Sequence, residues 1–107
     1  MIYQGDILEE LKKFEHRTFQ AIIADPPYFQ VLEHDWDNQW KSEGEYLKWT
    51  QHWVHTAGEK LRDDGLFYIF GQLGKREHVW LHVCSLAART LQFHDMIIWD
   101  RGLLPES

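Results

Sequence analysis

Residues 19–30, FQAIIADPPYFQ, run a short apolar segment into a carboxylate, two consecutive prolines and two aromatic rings. The apolar half, FQAIIAD, is of strand length and is ended by Pro26, which has no N–H to give a ladder, so it reads as a buried strand. Before it, DILEELKKF places Ile7, Leu8, Leu11 and Phe14 on one side of a helix with Asp6 as its N-cap, and MIYQG reads as a short opening strand. After it, residues 29–44 lack a period and read as a loop held partly by tryptophans. From Glu45 to Arg62 the residues Tyr46, Trp49, Trp53, Ala57 and Leu61 recur at helical spacing, with DDG as a C-terminal stop at Gly65. LFYIFG is a second buried strand. KREHVWLHVCSLAART puts Val79, Val83, Leu86, Ala87 and Thr90 on one helical face, and FHDMIIW reads as a third strand. Strands alternating with helices of this length predict an α/β fold with parallel strands and crossover helices. Such sheets bind ligands at the carboxyl ends of their strands, which is where Asp25 to Phe29 fall.

A chain of 107 residues fits one small domain, and no interdomain linker, repeat or low-complexity tract divides it. Apolar residues at 44% and charged residues at 26% are those of a globular protein, and six tryptophans raise the aromatic share to 15%. The one cysteine, Cys84, has no partner for an internal disulfide or a thiolate metal site, and core packing is its expected role. No basic leader precedes a long apolar run and no segment approaches membrane-spanning length, so a soluble, cytoplasmic protein with no membrane partner is expected. The formal net charge of −6 argues against a domain that grips nucleic acid by itself, because phosphate binding rests on clustered lysine and arginine.

The residues after the strand suggest a particular chemistry. Pro26 has fixed φ and no N–H, and Pro27 behind it pushes Pro26 toward extended backbone, which leaves a stiff rim of acceptors. With the Asp25 carboxylate this rim offers two oxygens suited to a group with two N–H donors, such as the exocyclic amine of a base. That nitrogen is a poor nucleophile while its lone pair is delocalised into the ring. Acceptors from Asp25 and the Pro26 carbonyl hold its hydrogens out of plane and direct the lone pair at an incoming methyl group. Tyr28 supplies a flat face for an extruded base, with Pro27, Phe29 and Trp36 as further walls.

DPPY after an apolar strand resembles the catalytic motif of the S-adenosylmethionine-dependent amino-methyltransferases that modify adenine N6 or cytosine N4 in DNA. IYQGDILEELKKF resembles that family's lead-in, a Gly-Asp pair before a short helix. The stretch WDNQWKSEGEYLKWTQHWVHTAGEKLRDDGLFYIFG resembles its following segment, and HDMIIWDR a later strand. The resemblance covers essentially the whole chain, in the order of the subgroup that carries its catalytic motif before its cofactor motif. It implies a partial Rossmann-like methyltransferase fold, S-adenosylmethionine as cofactor and DNA as partner. By residue, it implies Asp25 and Pro26 as amine acceptors, Tyr28 as the stacking ring and Asp6 near the cofactor adenosine. Asp at the first motif position leans toward adenine N6.

Two family features are missing. The Phe-x-Gly-x-Gly cofactor loop is absent, since FGQLG at 70–74 follows the wrong strand and lacks its spacing; Gly71 and Gly74 read as turn residues. The target-recognition region expected after IIWDRG is absent too. The expectation is therefore the amino-terminal catalytic part of a larger enzyme, inactive alone, whose unpaired strand edge invites a second copy or the missing carboxyl-terminal part. The basic DNA surface would then lie mostly in that part.

Other readings stand beside this one. A related family methylates protein amides with Asn-Pro-Pro-Tyr, against which Asp25 counts. A degenerate remnant that binds DNA or a partner chain without catalysis is a third. Methylation at cytosine C5 is disfavoured because Cys84 lies on a helix face outside the motif. His78 and His82 stand one helical turn apart but lack the inner glutamate of a zincin and an evident third ligand, and His52 and His55 fare no better, so no metal is expected. Trp36 and Trp40 read as loop anchors, of which Trp36 is the candidate substrate contact, and Trp49 and Trp53 as core.

Overall fold

A computed structural model describes residues 1–28, 40–71 and 77–98. The elements are α1 (Ile7–Leu11), β1 (Phe19–Ala24), α2 (Glu43–Glu59), β2 (Leu61–Ile69) and α3 (Glu77–Thr90). β1 and β2 pair in parallel as a two-stranded sheet, with α2 as the crossover between them. The parallel pairing and the helix that crosses between the two strands are as the sequence predicts.

Local chemistry explains the helix limits. The Asp6 carboxylate caps α1, its Oδ2 accepting from the N–H groups of Leu8 at 3.1 Å and Glu9 at 3.3 Å. Ser42 caps α2, its hydroxyl accepting from Glu45 N–H at 3.1 Å, while Glu45 Oε1 accepts from Lys41 N–H at 3.3 Å. This Ser-x-x-Glu arrangement is close to a capping box and starts the helix two residues before the sequence reading did.

The end of α2 differs more. The helix stops at Glu59, and RDDG lies inside β2 instead of ending a helix. Lys60 is the reason. Its carbonyl accepts from Thr18 and Phe19 N–H, each at 2.8 Å, and its ammonium donates to the Phe14 carbonyl at 2.7 Å, so the backbone is recruited into the sheet. The register then slips: Phe19 faces Leu61 but Ala21 faces Leu66, so two steps along β1 match five along β2. Gly65 sits where a Cβ would lie 2.8 Å from the Gln20 carbonyl, and Gln20 Nε2 donates to the Asp64 carbonyl at 3.1 Å across the bulge. Gly71 is likewise a packing glycine, because a Cβ there would collide with the Trp80 ring. Gly74 lies outside the described residues.

One face of the sheet is covered. Ile22 and Ala24 of β1 and Phe67 and Ile69 of β2 pack against a core of Leu11, Trp53, Val54 and Ala57, with Ala87 and Leu91 closing it from the α3 side. A second cluster joins the first half of α2 to α3 through Tyr46, Val79 and Val83, with Trp40, Trp49 and Trp80 around it. The other sheet face is open: Ile23, Leu66, Tyr68 and Phe70 are all exposed. The two apolar strands are therefore half-buried, not buried on both sides as their composition predicts, because β-strand side chains alternate and the helices here pack on one side.

Two predicted strands do not form. Residues 1–5 make no ladder; Met1 and Ile2 are exposed, and Tyr3 packs edge-on against Phe14 with ring centroids 5.5 Å apart. Residues 92–98 are irregular, with Ile97 and Ile98 81% and 82% exposed, and Met96 N–H turns to the Asp95 carboxylate at 2.8 Å. β-propensity expresses itself only where a ladder partner is available, and among the described residues neither segment finds one.

Candidate active site

The ladder holds β1 to its last residue. Phe70 N–H donates to the Ala24 carbonyl at 2.9 Å, and the chain leaves the sheet at the next residue, Asp25. Asp25 is exposed, while Pro26, Pro27 and Tyr28 are half-buried beside it. The Tyr28 hydroxyl donates to Asp25 Oδ1 at 2.8 Å, so the motif's acid and its ring form one unit. From α2, the buried Tyr46 donates its hydroxyl to the Pro27 carbonyl at 3.0 Å. The arrangement is an oxygen rim at the carboxyl end of a parallel strand, open to solvent on the carboxylate side and fastened from beneath by a helix.

Asp25, Pro26, Pro27 and Tyr28 are thus brought together. Phe29 and Trp36, assigned to the substrate walls, lie outside the described residues. Trp40 packs on Tyr46 and Trp49 with ring centroids 4.9 and 4.7 Å away, which makes it the anchor of the segment entering α2. Asp6 serves α1: its Oδ2 is committed to the cap, and Oδ1 is the oxygen left to accept from a ligand. The sequence places Tyr46 on the apolar face of α2 and assigns it no part in the site. Its place at the start of a helix whose partner strand ends in a donor-poor Asp-Pro-Pro segment was the available signal, but helical spacing alone does not say that a hydroxyl reaches past the core.

Other chemistry-bearing side chains among the described residues sit away from this rim. His82 Nδ1 lies 3.0 Å from Glu43 Oε2 and ties α3 to the first turn of α2. Among the described residues no three of His, Cys, Asp and Glu gather as a metal site. A shallow cleft lined by His16, Arg17, Glu59 and Asp63 opens at the amino end of β1, the opposite end from Asp25. Cys84, half-buried on α3, has its thiol pushed up from the ordinary value by burial, partly offset by a backbone hydrogen bond. A raised pKa keeps the thiol protonated through neutral pH. Alkylation of Cys84 is expected to be slower than that of a free thiol at neutral pH and to accelerate only in more alkaline buffer; fast labelling at pH 7, followed by mass spectrometry, would contradict this.

Fold and strand-end site define a partial α/β fold that presents an Asp-Pro-Pro-Tyr segment at the end of a parallel strand, and comparison with known proteins narrows this. The DNA methylase family profile of N6 and N4 methyltransferases matches residues 19–106. The chain is 30% identical over 101 residues to the type II methyltransferase M1.MboII of Moraxella bovis, covering 94% of this chain and 36% of that protein. It is 27% identical over 84 residues to the type II methyltransferase M2.MboI of Moraxella bovis, covering 65% of this chain and 30% of that protein. The chain belongs to the N6/N4 DNA methyltransferase family, and it spans about a third of the length of these relatives. Among the described residues no helix is long and apolar enough to cross a membrane.

Proposed function

We propose that this chain is the amino-terminal, catalytic part of an S-adenosylmethionine-dependent DNA methyltransferase that modifies an exocyclic base amine, with adenine N6 as target and cytosine N4 as the alternative. The observation that carries the reading is the exposed Asp25 carboxylate at the end of β1, joined to the Tyr28 hydroxyl at 2.8 Å. With Oδ1 taken by Tyr28, Asp25 Oδ2 accepts one amine hydrogen and the Pro26 carbonyl the other. Held this way, the nitrogen turns its lone pair out of the ring plane, and Asp25 receives the proton that the nitrogen surrenders. The Tyr28 ring, half-buried against the rim, stacks on the extruded base. S-adenosylmethionine supplies a methyl group on a sulfonium, transferred in line with no covalent enzyme intermediate.

Asp6 Oδ1 suits a ribose hydroxyl, which needs an acceptor, and a single carboxylate is this chain's contribution to the cofactor. The rest of the cofactor pocket, with the basic DNA-contacting surface, belongs in this reading to a carboxyl-terminal part that pairs beside β1. The length of the relatives and the net charge of −6 both support that division.

The test is the whole reading frame expressed in a host lacking DNA methylation. Mass spectrometry of genomic nucleosides should show N6-methyladenine, and N4-methylcytosine instead would move the target to the alternative. In the same protein, Tyr28→Ala should weaken binding of the extruded base by about 1–3 kcal/mol, the worth of one base–aromatic stack. A 2-aminopurine probe at the target position reads this directly, and an unchanged extrusion signal would remove Tyr28 from the role.

A further inference from the structure

Pro26 and Pro27 give the rim its stiffness but contribute no N–H, so the two middle residues cannot fasten themselves through backbone donors of their own. The fastening comes from outside. On one side the Phe70 N–H holds the Ala24 carbonyl at 2.9 Å; on the other the Tyr46 hydroxyl holds the Pro27 carbonyl at 3.0 Å. Asp25 and Pro26 lie between these two points. Tyr46 is itself held firmly: it is 5% exposed, its ring meets Trp40 edge-on at 4.9 Å and Trp49 at 6.0 Å, and it packs with Val79 and Val83 of α3. Its backbone is anchored by Tyr46 N–H to the Ser42 carbonyl at 3.1 Å, and its carbonyl accepts from the Thr50 hydroxyl at 2.8 Å. A rigid ring thus delivers one donor to the residue that follows the amine acceptors.

We propose that Tyr46 is a positioning residue for methyl transfer: through its hydroxyl, α2 sets where the Pro26 carbonyl and the Asp25 carboxylate stand. The inference rests on the assignment of those two groups as amine acceptors. Transfer in line demands near-contact alignment, and a displacement on the order of 1 Å costs about a hundredfold in rate. Binding of DNA and cofactor depends on far more surface and is much less sensitive to that displacement.

The experiment uses the whole protein with three variants. Tyr46→Phe keeps the buried ring and removes the donor. Its single-turnover methyl-transfer rate is expected to fall by about tenfold or more, with dissociation constants for DNA and S-adenosylmethionine close to those of the native protein. Asp25→Ala is the control for the underlying assignment. If Asp25→Ala still turns over, that assignment falls; if Asp25→Ala is inactive while Tyr46→Phe transfers at the native rate, only the role of Tyr46 falls. A loss in Tyr46→Phe that appears in both dissociation constants, not in the transfer rate, also overturns it. Should Tyr46→Phe fail to fold, 3,5-difluorotyrosine placed at position 46 preserves the ring and carries a more acidic hydroxyl than tyrosine, whose ionisation in place is read from its absorbance. Its rate relative to native should then drop as pH rises through that ionisation, where the donor is lost, and a constant ratio across pH would count against the proposal.

Discussion

Replacing Asp25 with alanine is expected to lower methyl-transfer turnover by about 10²–10³-fold, the usual cost of removing one preorganised group that meets charge as it develops. The carboxylate stands exposed at the strand end, outside the core, so the fold should survive and the unfolding midpoint should stay near the native value. Asp25→Asn separates charge from shape. An amide oxygen still accepts from the Tyr28 hydroxyl, which lies 2.8 Å from Oδ1, but it polarises an amine less. Its rate should therefore fall between native and Asp25→Ala. Single-turnover kinetics with labelled methyl donor give the ordering, and equal, near-native rates in both variants would remove the carboxylate from the reaction.

Trp53→Ala should be the most damaging change to stability, at about 3–5 kcal/mol. The ring is 4% exposed, sits beside Leu11, Val54 and Ala57, and meets Phe67 of β2 and Trp49 at 6.2 and 6.1 Å. It is the largest buried side chain joining the crossover helix to the sheet. Against a total of about 5–15 kcal/mol for a typical domain, the loss would leave a substantial unfolded population. Trp53→Phe is expected to cost far less than the ring volume suggests, because Nε1 is buried with no hydrogen-bond partner among the described residues. Phenylalanine removes that unmet donor, whose burial costs about 1–3 kcal/mol. Urea unfolding followed by circular dichroism measures both, and a loss for Trp53→Phe as large as that for Trp53→Ala would overturn the expectation that a smaller ring without the unmet donor is tolerated there.

What the sequence disclosed followed the nature of the signals. Asp6 as a cap, a strand that stops just before Pro26, and the long amphipathic helix with Trp53 in its core all depend on near neighbours in the chain, and all were legible. The junction at Lys60 was not. Leu61 continues the helical spacing of α2, and only the bonds from Lys60 to Phe14, Thr18 and Phe19, more than forty residues away, convert it to strand. FHDMIIW failed for the converse reason, since β-branched residues supply propensity but no ladder partner. In the site, DPPY was plain because its chemistry is contiguous. The hydroxyl of Tyr46 was hidden because its partner, Pro27, is nineteen residues earlier and joined to it only by the fold.

The slip in β2 has a mechanical consequence. Leu66 to Ile69 match Ala21 to Ala24 residue for residue, and all of the length mismatch is taken up between Leu61 and Leu66. That stretch acts as slack at the end of the sheet remote from Asp25. Insertions or deletions around Asp63 and Asp64 can be absorbed there without shifting the frame in which the motif is presented, so a change of length at one end of the sheet leaves the chemistry at the other undisturbed.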